Sequence, residues 1–366
     1  MKTKISLLLC ALALVTSLTA CEYSTKTSES GETAQTSTEQ TDTESAETSA
    51  QSVLHIDPTT VPVNAETDFV FTEGSDGTAL ITGYVGTAMQ VRIPDTLGGC
   101  DKIVIGKDAF TENESITYLY LPQSVTAVGN NAFRMCNGLQ EVNMGDSSVT
   151  KIGYAAFEFC DELTTVSLPA TLKGGEEDGL YGNTFSYCLK LSDLTIAAGG
   201  ELELIDGVIY DGNTLVLGVP GMMQKELIVR DGTEFIANYA FADIDAFESV
   251  TLPNSLLSIV EEAFSGNESI VTLNLGNGVK RIEKYAFNYC DNISPVILPQ
   301  SVEYLGLGAF RTCHPKTVQL PDSFEMEGSI DQYVFQYAKD AVFSYRGQEY
   351  NYDRAAELTV AIRENH

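Results

Sequence analysis

Histidine and basic charge are what this chain has least of. Its three histidines, His55, His314 and His366, lie far apart, which argues against a zinc centre. Lysine and arginine number 21 against 51 acidic residues, and beyond residue 52 the balance is 18 to 44, a net charge of about −26. Such a surface repels phosphate backbones and anionic head groups, so docking to nucleic acid or to an acidic membrane is not expected. Solubility is the plainer use of the same charge. Catalytic motifs are missing too: G-x-S-x-G, H-E-x-x-H, G-x-x-x-x-G-K-[ST] and a regular calcium loop do not occur. Ser148-Val149-Thr150-Lys151 matches S-x-x-K, but no S-D-N or K-T-G accompanies it. Asp243 with Asp245, and Asp211 with Asn213, are short fragments that read as turns, with ligation of a calcium ion as the alternative. No catalytic residue, cofactor or metal site is expected.

Core-forming residues are absent from a long stretch near the N-terminus. Between Glu22 and Ser52, 15 of 31 residues are Ser or Thr, seven are acidic, and none is Val, Ile, Leu or Phe. Residues 21–52 therefore read as a disordered stalk, roughly 30 Å across as a coil and about 100 Å fully extended. Before it, Lys2 and Lys4 precede an apolar run from Ile5 to Val15, followed by Leu18-Thr19-Ala20-Cys21. This is similar to the bacterial lipobox, which implies a signal peptide over residues 1–20 and a diacylglycerol thioether on Cys21. Cleavage after Ala20 without lipid is the alternative. With lipid, the membrane is touched only through the N-terminal anchor, and the protein is extracytoplasmic and surface-exposed.

What the chain has in abundance is a repeat. Phe110, Phe133, Phe157, Phe185, Phe241, Phe264, Phe287, Phe310 and Phe335 recur mostly at intervals of 23 or 24 residues. Seven follow an alanine, and an aliphatic residue stands five positions before each (Ile105, Val128, Ile152, Leu180, Ile236, Ile259, Ile282, Leu305 and Ile330). One unit of this length cannot bury enough apolar surface to offset its ordering entropy, so copies must stack. Six, nine and eleven residues after the Phe come apolar positions, as in Leu139, Val142 and Met144 or Leu163, Val166 and Leu168. This L-x-x-L-x-L spacing puts the second and third apolar residues on one face of a short strand. Stacked strands then make a curved parallel sheet with a concave outer face, and the aliphatic-to-Phe segment forms the opposite wall. Cys136, Cys160, Cys188, Cys290 and Cys313 lie three residues after a repeat Phe, a phase shared by Asn113 and Asn267. Buried free thiols are expected there; disulfides and a metal site are the alternatives.

The ends and the middle depart from the period. Residues 53–108 read as an N-terminal cap and first rung, with Phe69-Val70-Phe71 and Ala79-Leu80-Ile81 flanking the turn Gly74-Ser75-Asp76-Gly77. The array runs over 109–340. Inside it, 56 residues separate Phe185 from Phe241, and a hairpin at about 207–218 is expected to project there. Residues 341–366 suggest a strand pair and then a short helix capped by Asp353, with Ala355, Leu358 and Ile362 on one face.

The units Ile152-Gly153-Tyr154-Ala155-Ala156-Phe157-Glu158-Phe159-Cys160 and Leu163-Thr164-Thr165-Val166-Ser167-Leu168-Pro169 resemble the BspA-type leucine-rich repeat. The resemblance runs from about Phe69 to the C-terminus. It implies an α/β leucine-rich-repeat solenoid, predominantly β, and a bacterial surface lipoprotein with adhesion among its roles; it supplies no catalytic residues. Binding is then expected on the outward positions of the concave strands. The candidates are Tyr118, Tyr120, Glu141, Asn143, Thr165, Ser167, Asp193, Glu248, Thr251 and Asn274, a row dominated by hydroxyls and amides, without Lys or Arg. Short polar side chains suit an extracellular protein or a glycan, and the tyrosine pair offers contact area with a polar tip. The same Ser and Thr are also ordinary strand residues. The rival readings are a spacer of the envelope, the targeting module of a wall-active enzyme, for which no residues remain to build a catalytic domain, and a solute-binding transport lipoprotein, whose two-lobed α/β pattern is absent.

The anchor is testable on its own. Cys21→Ser is expected to abolish an acyl mass at the N-terminus and release the protein from the detergent phase; unchanged partitioning, with no acyl mass on the wild type, contradicts lipidation.

Overall fold

The computed structural model describes residues 55–175, 179–324, 330–331 and 333–351. The signal segment, Cys21, the stalk and the C-terminal helix lie outside the described residues.

The L-x-x-L-x-L segments form the expected parallel strands. In the N-terminal half these are Gln90–Arg92, Tyr118–Tyr120, Glu141–Asn143, Thr165–Leu168 and Asp193–Ile196, paired in register. In the C-terminal half Glu226–Ile228, Ser249–Thr251 and Thr272–Asn274 pair in one set. Val296–Ile297, Thr317–Gln319 and Val342–Tyr345 pair in the next, closed by antiparallel Gln348–Tyr350. The one-residue contraction before Leu320 leaves Val318 facing inward and fully buried. We call these strands together the leucine sheet.

The opposite wall is itself a sheet. The aliphatic residues five positions before each Phe end short strands such as Lys102–Ile105, Val125–Val128 and Lys151–Ile152, and later Phe235–Ile236, Ser258–Ile259, Arg281–Ile282 and Tyr304–Leu305. Phe69–Glu73 and Thr78–Tyr84 form the antiparallel cap hairpin, whose second strand pairs with Lys102–Ile105 and covers the first rung.

The turn around each Phe holds the copies together. At every repeat Phe except Phe185, before which Asn183 is not left-handed, the residues two before and two after adopt positive φ, as with Asn131 and Met135 around Phe133, Tyr239 and Asp243 around Phe241, and Tyr285 and Tyr289 around Phe287. Alternating left- and right-handed residues aim every second N–H at the next copy. Thus Asn131, Phe133 and Met135 donate to Tyr154, Ala156 and Glu158 at 2.9, 2.8 and 2.8 Å. Tyr239, Phe241 and Asp243 donate likewise to Glu261, Ala263 and Ser265. Each non-glycine left-handed residue costs about 1 kcal/mol, offset here by an inter-copy hydrogen bond made away from water. The rings stack in the same direction, with Phe133 to Phe157 at 5.1 Å and Phe264 to Phe287 at 5.2 Å between centroids.

The cysteine ladder belongs to the same turn. Each thiol donates to the carbonyl of the preceding copy's Phe: Cys136 to Phe110, Cys160 to Phe133, Cys188 to Phe157, Cys290 to Phe264 and Cys313 to Phe287, at 3.0–3.2 Å. All six cysteines among the described residues are free and buried. Burial pushes the Cys136 and Cys313 thiols up to about 12, which leaves them protonated and inert at neutral pH. Asn267 does the same work with an amide, donating to Phe241 and Phe264 carbonyls at 2.8 and 2.9 Å while its Oδ1 accepts the Asp245 N–H.

The central insertion corrects the sequence reading. Val208–Asp211 and Thr214–Gly218 do form a hairpin, but Leu202–Ile205 adds a third antiparallel strand and the unit does not project. Its last strand, Thr214–Gly218, pairs in parallel with Phe235–Ile236 and so joins the wall sheet. Both faces are covered: Ile209, Val216 and Leu217 pack into the N-terminal core, and Val208, Tyr210 and Leu215 into the C-terminal one. The meander is a septum between two hydrophobic cores, and Gly218 takes the place of a phenylalanine. Its N–H donates to Ala240, and a Cβ there would stand 2.6 Å from the Phe241 ring.

Two cores joined by a septum set how damage spreads. Phe264→Ala removes a fully buried ring from the C-terminal core and is expected to cost about 3 to 5 kcal/mol. The denaturant transition should split, the C-terminal half melting first. A single transition with less than about 1 kcal/mol lost contradicts the stacked-ring account.

Candidate recognition surface

Register places the outward residues of the leucine sheet in two rows. In the N-terminal half one row reads Gln90, Tyr118, Glu141, Thr165 and Asp193, and the other Arg92, Tyr120, Asn143, Ser167 and Thr195. The rows carry side chains away from the core because neighbouring Leu119, Val142, Val166 and Leu194 point into it.

The first row is nevertheless not open. Tyr118, Glu141 and Thr165, expected at the surface, are 0, 6 and 1% exposed. Residues 55–64 of the chain itself cross this face as a strap. At one end His55 Nε2 lies 3.2 Å from Asp193 and its Nδ1 3.6 Å from Glu141, while the Ile56 N–H donates to Glu141 Oε2 at 3.1 Å. At the other, the Arg92 guanidinium donates to the Pro58 carbonyl at 2.8 Å. Asn64 and Arg92 exchange two further bonds, Asn64 N–H to the Arg92 carbonyl and Arg92 N–H to Asn64 Oδ1. Asp57 caps the turn Pro58–Thr60 between them. The fit is incomplete at one atom. The Tyr118 hydroxyl is buried without a hydrogen bond of good geometry, and burial with the nearby Glu141 charge pushes its pKa up to about 12. Tyr120, Asn143, Ser167 and Asp193 stay partly exposed, Tyr120 beneath Arg92 at 5.2 Å.

The C-terminal half has no such cover among the described residues. Glu248 and Asn274 are exposed and Thr251 is half-buried, as expected for outward positions. Two residues that the sequence reading passed over share this face, Ile228 in register with Thr251 and Asn274, and Ile297 in register with Gln319. They are 65 and 52% exposed. Their outward phase was readable from the repeat; their apolar character broke the polar row and drew no notice. Cations also reach the surface, since Arg92 stands in the second row and Lys225 pairs with Glu248 at 2.5 Å.

Between the halves the leucine sheet is interrupted: Asp193–Ile196 and Glu226–Ile228 do not pair. A cleft of about 530 Å³ opens at the break, lined by Tyr210, Met222, Met223, Leu227 and Phe247, with Ile228 at its edge. Arg230 closes one side, held 4.0 Å over the Tyr210 ring and bonded to Glu203 at 2.6 Å. Elsewhere, the turn acids serve structure. Asp211 accepts the Gly174 N–H at 2.8 Å and Asp245 that of Ser269 at 2.7 Å.

Comparison with known proteins agrees with this architecture. The chain matches the BspA type leucine rich repeat region in six copies, over residues 103–211 and 223–341. No curated protein matches it. Among solved structures, the pneumococcal vaccine antigen PcpA is similar with a TM-score of 0.57 at 20% identity, over 71% of this chain and 61% of that one, less than two thirds of its length. A leucine rich cell surface protein from Faecalibacterium prausnitzii A2-165 is 19% identical over 84% of this chain and 98% of its own, with a TM-score of 0.40. The T. pallidum leucine rich repeat protein TpLRR is 20% identical over 69 and 89%, also at 0.40. At these identities the likeness concerns fold alone. Six repeat copies over more than half its length, stacked through the phenylalanine turns, make the chain a member of the BspA type leucine rich repeat family.

Proposed function

We propose that this is a non-catalytic, lipid-anchored surface protein that binds an extracellular protein through the outer face of its leucine sheet. The open C-terminal half carries the reading: Ile228 and Ile297, both more than half exposed, flank the polar Thr251 and Asn274 on one face. Exposed aliphatics among hydroxyls and amides suit the mixed surface of a polypeptide better than the polar surface of a glycan. The Met- and aromatic-lined cleft beside Ile228 adds a place where one apolar side chain of a partner can be desolvated, the usual form of an interface hot spot. The lipobox-like Leu18 to Cys21 and the Ser/Thr-rich segment after it suit display at a distance from the membrane. The family match supports a binding role, since its repeats provide surface and no catalytic group.

The test is a panel of immobilised extracellular-matrix proteins and glycans probed with the purified protein. At least one protein should be bound, and Ile228→Glu with Ile297→Glu should weaken it by about 2 kcal/mol or more while leaving the thermal midpoint nearly unchanged. Binding through this open half should depend weakly on salt, because Ile228, Thr251, Asn274 and Ile297 carry no charge for salt to screen. Binding only to glycans, or binding that survives the double substitution, contradicts the reading.

A further inference from the structure

The strap meets the leucine sheet in the manner of a bound peptide. It forms no β-ladder with the sheet; side chains of the sheet hold its backbone and one of its side chains at fixed points. Arg92 takes the Pro58 carbonyl, Glu141 takes the Ile56 N–H, and Glu141 and Asp193 converge from rungs on either side of Thr165 onto the single imidazole of His55. From rung to rung the site reads as a guanidinium for main-chain carbonyls followed by two carboxylates for a cation. A histidine satisfies two carboxylates fully only when protonated, whereas Lys or Arg carries its charge at any physiological pH.

A second observation concerns a polar atom that the resident segment leaves without a well-aligned bond. The Tyr118 hydroxyl, in the same row as Glu141 and fully buried, has only the Asn143 side chain of the next rung near it and makes no well-aligned hydrogen bond. A buried hydroxyl without a well-aligned partner destabilises the covered state, a penalty that a ligand with a well-placed donor or acceptor removes. Val61 is the one buried apolar residue of the strap and belongs to neither hydrophobic core, and the other named contacts are polar, so the strap lifts at the cost of one exposed valine without opening the cores.

We propose that the N-terminal half of the leucine sheet is a groove for an extended polypeptide bearing a basic side chain, and that residues 55–64 occupy it as an intramolecular stand-in which such a partner displaces. The proposal rests on the reading of this sheet as a recognition face and names the partner class for its covered half. The basic side chain enters between Glu141 and Asp193, the partner's carbonyls meet Arg92, and the Tyr118 hydroxyl gains a well-aligned partner. Displacement requires the incoming segment to outcompete a tethered one, whose effective concentration is of order millimolar, so only a better-matched sequence succeeds.

The probes are three fluorescent synthetic peptides spanning residues 53–65: the native sequence, one with lysine at the His55 position and one with alanine there. Anisotropy is read with wild-type protein, with His55→Ala, and with Glu141→Gln plus Asp193→Asn. The lysine peptide should bind His55→Ala protein at least about tenfold tighter than wild type, because the stand-in is weakened. It should also exceed the alanine peptide by about tenfold or more, a difference that the paired carboxylate substitution removes. In wild type, excess lysine peptide should speed hydrogen exchange at the Ile56 amide, a readout independent of any variant's folding. No binding to His55→Ala, a lysine preference that persists without the carboxylates, or an Ile56 amide indifferent to peptide overturns the proposal. If a panel protein is still captured through Ile228 and Ile297 when the peptides fail, the groove is rejected and the recognition reading stands.

Discussion

The left-handed residues that flank the repeat phenylalanines, on both sides of all but Phe185, are what the rest of the molecule depends on. They turn every second amide toward the neighbouring copy, and the resulting ladder fixes the distance at which the Phe rings stack and the Cys or Asn side chains cap Phe carbonyls. Stacking at about 5 Å matches the separation of adjacent strands, so one spacing serves both sheets. The phenylalanine, the small residue before it and the thiol after it are three answers to one constraint. A large ring must fill the core, a close backbone must sit beside it, and a buried carbonyl must find a donor.

Where that constraint is relaxed, the architecture changes. The septum substitutes a glycine for the ring, ends one aromatic stack at Phe185 and begins another at Phe241. It keeps the wall sheet of the C-terminal half continuous with itself but leaves the leucine sheet broken, and the cleft beside Ile228 opens at that break. The two halves thereby acquire different outer faces. One is covered by the segment that leads in from the N-terminal side; the other stays open and partly apolar.

The repeats were legible because both of their periods are written in apolar residues, and apolar burial is the strongest pattern a sequence carries. The turn was not, because its left-handed positions hold Tyr, Asp, Glu, Met and Asn indiscriminately; the inter-copy ladder selects that backbone, overriding the usual preference for glycine. The septum was misread as projecting although its strands read Val208-Ile209-Tyr210 and Leu215-Val216-Leu217 without alternation, the mark of a strand buried on both faces. Ten outward candidates were identified, and all lie on the leucine sheet or at its strand entries. Tyr118, Glu141 and Thr165 turned out covered, since contacts between His55 or Ile56 and Glu141, 85 residues from Ile56, leave no trace in local pattern.

The account's central claim is that one half of the recognition sheet is covered by its own chain and the other is open. Hydroxyl-radical footprinting of the native protein, read residue by residue by mass spectrometry, tests this directly, because tyrosine reactivity follows exposure. Tyr118 should remain unmodified while Tyr289, half exposed on a turn, and Met222 and Met223 in the cleft react. A Tyr118 as reactive as Tyr289 in the folded protein would show that the strap does not cover the sheet, and the distinction between the two halves would fall.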